Sequence, residues 1–152
     1  MEKVYEIYIK TTPERLWQAI TDTEMRRKYT FGAMVESNWE PGSRYQASGQ
    51  GTLIFGGENI EVDPPRKLVQ TFQAQWSEEI KNEGMSLVTW EIQPVGSDSC
   101  CLTVTHSRLR EGANPQLYGG WPMVLSGLKT LLETGGLLTT PGSLRWLGEA
   151  HA

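Results

Sequence analysis

Asn114-Pro115-Gln116-Leu117-Tyr118-Gly119-Gly120-Trp121-Pro122-Met123-Val124-Leu125-Ser126-Gly127-Leu128-Lys129-Thr130-Leu131-Leu132-Glu133-Thr134-Gly135-Gly136 is the stretch on which the fold turns. Leu117, Trp121, Val124, Leu125, Leu128, Leu131 and Leu132 recur at the spacing of one helical face, with Ser126, Lys129, Thr130 and Glu133 on the other. About twenty residues at 1.5 Å each predict roughly 30 Å of helix. A compact chain of this length has a radius of gyration near 15 Å, so such a helix crosses the whole domain and needs a sheet beneath it. Pro122 removes an amide donor and crowds the residue four back. The regular helix therefore either starts at Trp121 or bends there, and a bend would set Trp121 over a pocket mouth. Gly135-Gly136 supplies the stop.

Upstream of that helix the chain is nearly all strand. Residues 3 to 10 alternate, Tyr5, Ile7 and Ile9 against Glu6, Tyr8 and Lys10, as in a half-buried strand. Thr12-Pro13-Glu14 then offers a capping hydroxyl, a proline at the first helical position and an acid in the first turn. A short helix carrying Leu16, Trp17 and Ile20 inward follows, and Thr21 or Asp22 caps a second one running through Met25 to about Lys28. Turn chemistry at Pro41-Gly42, Gly49-Gln50-Gly51, Asp63-Pro64-Pro65, Ser77 to Gly84 and Gly96-Ser97-Asp98 separates six further strands. These are expected near 33–39, 43–48, 52–62, 67–76, 85–95 and 100–108, with a bulge or bend at Gly56-Gly57. The connections are too short for crossover helices, so the sheet is expected to be antiparallel.

Seven strands at about 4.8 Å each make a sheet roughly 30 Å wide, whereas one helix with its side chains is about 10–12 Å across. A single helix cannot cover that face, and filling the remainder takes very large side chains. The alternation turns Leu68, Phe72, Ala74 and Trp76 inward on one strand, Val88, Trp90 and Ile92 on the next, and Leu102, Val104 and His106 on the last. Trp39, Tyr45 and Phe55 join them from earlier strands, and Trp121 and Leu125 from the helix. Aromatic rings in such number form either a dense core or the walls of an apolar pocket. For a ligand, the expected contacts are Trp39, Tyr45, Phe55, Phe72, Trp76, Trp90, His106, Trp121 and Leu125. Tyr29-Thr30-Phe31-Gly32 is a further candidate rim. His106 reads as a general base, a ligand partner or a satisfied core histidine; no acid is spaced to orient it and no nucleophile motif accompanies it. Asp63 and Arg66 read as a capped turn with a surface ion pair.

A chain of 152 residues suits one domain. Fourteen Lys and Arg against eighteen Asp and Glu leave a net charge of −4, and Arg26-Arg27-Lys28 is the one basic run, so nucleic acid is not an expected partner. No apolar stretch has signal-peptide or membrane-span length, which points to the cytoplasm. Adjacent Cys100 and Cys101 point to opposite faces of a strand, and with His106 and His151 the only histidines no metal site is expected. No cofactor or catalytic set is expected either. Beyond residue 136, Leu138, Leu144, Trp146 and Leu147 are too apolar for a solvated tail, and the 137–152 extension is expected to pack on its own domain or on a partner subunit.

Four phrases carry a family resemblance: Ile9-Lys10-Thr11-Thr12-Pro13-Glu14-Arg15-Leu16-Trp17-Gln18-Ala19, Asp63-Pro64-Pro65-Arg66-Lys67-Leu68-Val69, Leu102-Thr103-Val104-Thr105-His106, and Gly119-Gly120-Trp121-Pro122. Together with the element order they resemble the START-like (SRPBCC) superfamily, in its bacterial branch named after the activator of the heat-shock chaperone ATPase, from residue 1 to about 135. The resemblance implies an α+β helix-grip fold, a curved antiparallel sheet of about seven strands around a long C-terminal helix, with two short helices between strands one and two. It implies an apolar ligand of lipid, sterol or polyketide type held between sheet and helix, in a protein that is a monomer or homodimer. Some relatives are cyclases or other enzymes, and an enzyme using His106 as base is the alternative. A stress-related module is a third, although in the eukaryotic activators this domain is coupled to a separate chaperone-binding domain.

Overall fold

The computed structural model describes residues 1–140. Strand β1 (Lys3–Ile9) leads into helices α1 (Pro13–Thr21) and α2 (Thr23–Arg27), followed by β2 (Met34–Ser37), β3 (Arg44–Gly49), β4 (Thr52–Asp63) and β5 (Lys67–Ala74). A short helix α3 (Glu78–Lys81), β6 (Met85–Val95), β7 (Ser99–Ser107), a 3-10 turn at Pro115–Leu117 and helix α4 (Trp121–Thr134) complete it. All seven strands form one antiparallel sheet in the order β1-β7-β6-β5-β4-β3-β2. This is the α+β helix-grip fold, and each strand falls within a few residues of its expected place.

The caps explain the helix boundaries. Thr12 Oγ1 accepts the Arg15 amide and Pro13 fills the first turn of α1, while Asp22 Oδ2 accepts the Met25 amide to open α2. Residues 77 to 84, expected as a turn, contain α3, because the Ser77 hydroxyl caps Ile80 and that isoleucine is wholly buried. The polar surroundings of Ile80 hid its periodicity.

The expected twenty-residue helix is corrected to fourteen residues, about 21 Å long. Pro122 has no amide to give to Tyr118, so the α-helix cannot continue backwards through it. The Tyr118 carbonyl accepts the Tyr5 hydroxyl at 3.2 Å instead. Gly119 turns the chain so tightly that a Cβ there would lie 2.8 Å from the Pro115 oxygen. At the other end Gly135, at φ +78°, donates its amide to Leu131 and stops the helix as expected. Gly127 brings α4 down onto Tyr29, whose Cβ would stand 3.0 Å from an added methyl.

The bend in β4 divides into two features. At Gly57 a Cβ would clash with the Thr71 carbonyl, and next to it the Glu58 amide turns to Thr71 Oγ1 at 2.8 Å. The register shift itself comes later, between Asn59 and Glu61. The curled sheet presents its inner face to two covers. Helix α4 packs along β1, while α1 and α2 pack on β2, with α1 also reaching β6. Between these covers, the space over the inner face of β3 to β6 is not filled. Leu144, Trp146 and Leu147 lie outside the described residues.

Candidate functional site

That unfilled space is a cavity of about 90 Å3, partly open to solvent. Its floor is the sheet: Tyr45 from β3, Ile54 and Phe55 from β4, Gln70 and Phe72 from β5, and Val88 and Trp90 from β6. Its roof comes from Arg26, Thr30 and Phe31 on one side and Leu117, Trp121 and Val124 on the other. Trp76, Phe31, Gln116 and Trp121 retain exposure and form the mouth, whereas Trp90 is buried at the bottom. One water needs roughly 10–15 Å3 of such space, and drug-sized ligands occupy pockets of roughly 300–1,000 Å3. The space thus fits a single ring or a short chain.

The rings contact one another in sequence around the wall. Phe55 and Phe72 stand 5.1 Å apart, Phe72 and Trp76 6.4 Å, and Trp90 meets Trp121 edge-on at 5.3 Å. Of the residues expected at a ligand, Tyr45, Phe55, Phe72, Trp76, Trp90 and Trp121 are brought together here. Trp39 is not: it sits half-buried in the β2–β3 connection at φ +56°, its amide tied to Ser37 Oγ. Leu125 faces a groove between α4 and β1 instead. The candidate rim divides as well, with Tyr29 in the core donating its hydroxyl to the Ala19 carbonyl, and Thr30 and Phe31 on the cavity.

His106 is wholly buried behind the wall rather than on it. Trp121 Nε1, which can only donate, gives its proton to His106 Nδ1 at 3.1 Å. The neutral ring therefore carries its proton on Nε2 and donates it to Ser86 Oγ at 2.7 Å, and Ser86 passes its own to the Phe72 carbonyl. Burial pulls the His106 pKa down to about 4, so the ring is neutral at physiological pH. Both nitrogens are spent, and Nε2 cannot accept the Ser86 proton. The pair has the contact of a nucleophile and base with the wrong tautomer for the chemistry, and its effect is to fix Trp121 at the cavity mouth.

Two buried polar residues on the cavity escaped the sequence reading. Gln70, 3% exposed, donates its amide to Asn59 Oδ1, and Asn59 in turn donates to Ser37 and Ser43, a chain that runs from the cavity floor to the β2–β3 connection. Arg26, 4% exposed, donates Nη1 to the Ile20 carbonyl and Nε to Thr30 Oγ1, with its guanidinium 5.0 Å above the Trp90 ring. Strand alternation already placed Gln70 between Leu68 and Phe72 on the inner face. For Arg26 the available signal was Tyr29 and Thr30, three and four residues on, which share its side of the chain.

Burial raises the Tyr29 phenol to about 12 and the Tyr45 phenol further, with nearby Arg26 opposing both shifts. Tyr45 donates to the Thr71 carbonyl at 2.7 Å. Asp63 and Arg66 form the exposed ion pair expected of them. Cys100 and Cys101 are free thiols. Among the described residues no group of three or more His, Cys, Asp or Glu could hold a metal ion, and no helix is long and apolar enough to cross a membrane.

A covered sheet, a terminal helix and a cavity between them are matched in sequence by residues 10–133, which fit the family described as activator of Hsp90 ATPase homolog 1-like protein. The chain belongs to that family. No curated protein matches it. Solved structures share the Hsp90-activator-like fold at low identity. Protein MLL2253 from Mesorhizobium loti superposes with a TM-score of 0.74 at 23% identity, covering 90% of this chain and 100% of its own. PFC0360w, an HSP90 activator from Plasmodium falciparum, gives 0.72 at 22%, covering 87% and 96%. The Aha1 dimer from Colwellia psychrerythraea gives 0.72 at 19%, covering 89% and 98%. At these identities the likeness establishes fold, and the site must be argued from this chain's own residues.

Proposed function

We propose that this Hsp90-activator-like chain is a non-catalytic binding protein for a small apolar or aromatic molecule, held between the sheet and the start of α4. The single observation behind this reading is the cavity of about 90 Å3 walled by Tyr45, Phe55, Phe72, Trp76, Trp90 and Trp121. Burying a ring against such walls contributes about 25 cal/mol for each Å2 of apolar surface removed from water. The size favours a monocyclic aromatic or short acyl compound over a sterol or a long lipid. Trp39 and Leu125 contribute to the scaffold, and His106 acts by holding Trp121. A cytoplasmic location and a monomer or homodimer complete the reading; the Colwellia psychrerythraea protein of the same fold is a dimer in solution.

Calorimetric titration with indole, toluene, hexanoate and a sterol tests it. Saturable binding of the small compounds, weakened by Phe72→Ala, is the expected result. Heats no larger than dilution for every compound would remove the proposal.

A second reading, a chaperone-associated module, is favoured by the family match and by the shared fold of the HSP90 activator from Plasmodium falciparum. Stimulation of a heat-shock chaperone's ATP hydrolysis by the purified chain is its test, and an unchanged rate would set it aside.

A further inference from the structure

Arg26 holds a charge that the described protein does not neutralise. It is 4% exposed and borders the cavity, yet no carboxylate of the described residues stands within ion-pair distance of it. Of the five N–H groups on its guanidinium, Nε is spent on Thr30 and one hydrogen of Nη1 on Ile20. Both hydrogens of Nη2 have no acceptor among the described residues. A buried cation costs several kcal/mol in lost hydration unless it is paired. The Trp90 ring beneath it returns part of that through its negative face. Trp90 adds a second unspent donor, since its buried indole Nε1 meets no acceptor among the described residues.

Arg26 and Thr30 border one side of a cavity whose other walls are largely apolar, with Gln70 in the floor and Gln116 at the mouth. The Thr30 hydroxyl, which accepts from Arg26 Nε, keeps its own proton to give. The N–H groups left on Arg26, one on Nη1 and two on Nη2, lie in one plane and can meet a carboxylate through charge-assisted hydrogen bonds. Space of about 90 Å3 accommodates little more than a ring or a short chain beyond the headgroup.

We infer that the ligand is a small monocarboxylic acid, aromatic or short-chain aliphatic, bound as its anion with the carboxylate on Arg26 Nη2 and the apolar part against Phe55, Phe72 and Trp121. This deepens the proposed binding function and rests on it. The bonds of Arg26 to Ile20 and Thr30 account for Nε and one hydrogen of Nη1; the second Nη1 hydrogen, both hydrogens of Nη2 and the charge are left over, and a bound carboxylate would meet them.

Matched pairs of probes separate the two layers of the argument in the unaltered protein: phenylacetate against phenylacetamide, and hexanoate against hexanamide, titrated at neutral pH. The acids should bind at least about tenfold more tightly than the amides, as expected for a charge-assisted hydrogen bond. Arg26→Met should erase that preference while retaining amide affinity, and Arg26→Lys should keep part of it, having the charge without the fork. Equal binding of acid and amide, or a preference that survives in a folded Arg26→Met variant, would overturn the carboxylate assignment and leave the apolar cavity standing. No binding of either member of both pairs would overturn the cavity reading and this inference with it.

Discussion

The His106 end and the Arg26 end of the cavity wall are built to opposite specifications. At the first, every polar atom is spent: indole to imidazole, imidazole to hydroxyl, hydroxyl to carbonyl. At the second, a guanidinium keeps donors in hand over an indole that also lacks an acceptor. Both sit in the same apolar interior, where an unmet hydrogen bond costs about 1–3 kcal/mol. A closed network rigidifies what surrounds it, and an open one waits for a partner. The difference separates the part of this wall that holds its shape from the part that, in the proposed function, would meet a ligand.

The largest effect should come from the residue between the two ends. Trp90→Ala removes a side chain that is 1% exposed and touches both Trp121 and Arg26. Denaturant unfolding should show a loss of about 3–5 kcal/mol, with binding of every probe abolished. A loss below 1 kcal/mol would mean that the two ends are not joined through this ring.

The closed end makes a pH prediction. With the native ring titrating near 4 and an unfolded histidine near 6.5, the unfolded chain binds the extra proton across that interval. This contribution to stability is constant above about pH 6.5, declines as pH falls, and levels off below about pH 4, a drop on the order of 3 kcal/mol. Unfolding midpoints measured from pH 7.5 to 4.5 should show this decline. His106→Gln, which has no proton to gain, should flatten that part of the curve, and an unchanged slope would place the titration elsewhere.

Close backbone packing gives a smaller effect. Gly57→Ala drives a methyl into the Thr71 backbone beneath Phe55 and Phe72 and should cost about 1–3 kcal/mol as overpacking does. Because the strain falls at the bend of β4, it should also weaken ligand binding. The smallest effect is a control on the exposed face: Arg66→Ala breaks the Asp63 pair in solvent and should change stability by less than about 1 kcal/mol, with binding untouched.

Periodicity made the strands and the covering helix legible, because alternation and the heptad-like spacing report directly on which faces are buried. It overestimated α4, since Leu117 continues the apolar face across a proline that the backbone cannot carry in an α-helix. It placed the aromatic wall from Tyr45 to Trp121 correctly in space, for those rings are both large and at alternating positions. It passed over Gln70 and Arg26 for one reason: polar residues on an apolar face read as interruptions until coordinates show that they are buried. Arg26 stands in the run Arg26-Arg27-Lys28, where Arg27 pairs with Glu24 at the surface and nothing local marks its neighbour as different. His106 was legible as inward-facing, and its tautomer was not, because that depends on Trp121 fifteen residues away.

The most direct measurement is a proton–nitrogen correlation spectrum of the tryptophan indoles during titration with phenylacetate. Saturable shifts are expected at Trp76, Trp90 and Trp121, the largest at Trp90 beneath the Arg26 guanidinium, with Trp17 and Trp39 unmoved. A titration that leaves the indole signals of Trp76, Trp90 and Trp121 in place, or shifts all of them linearly without saturation, would contradict that expectation.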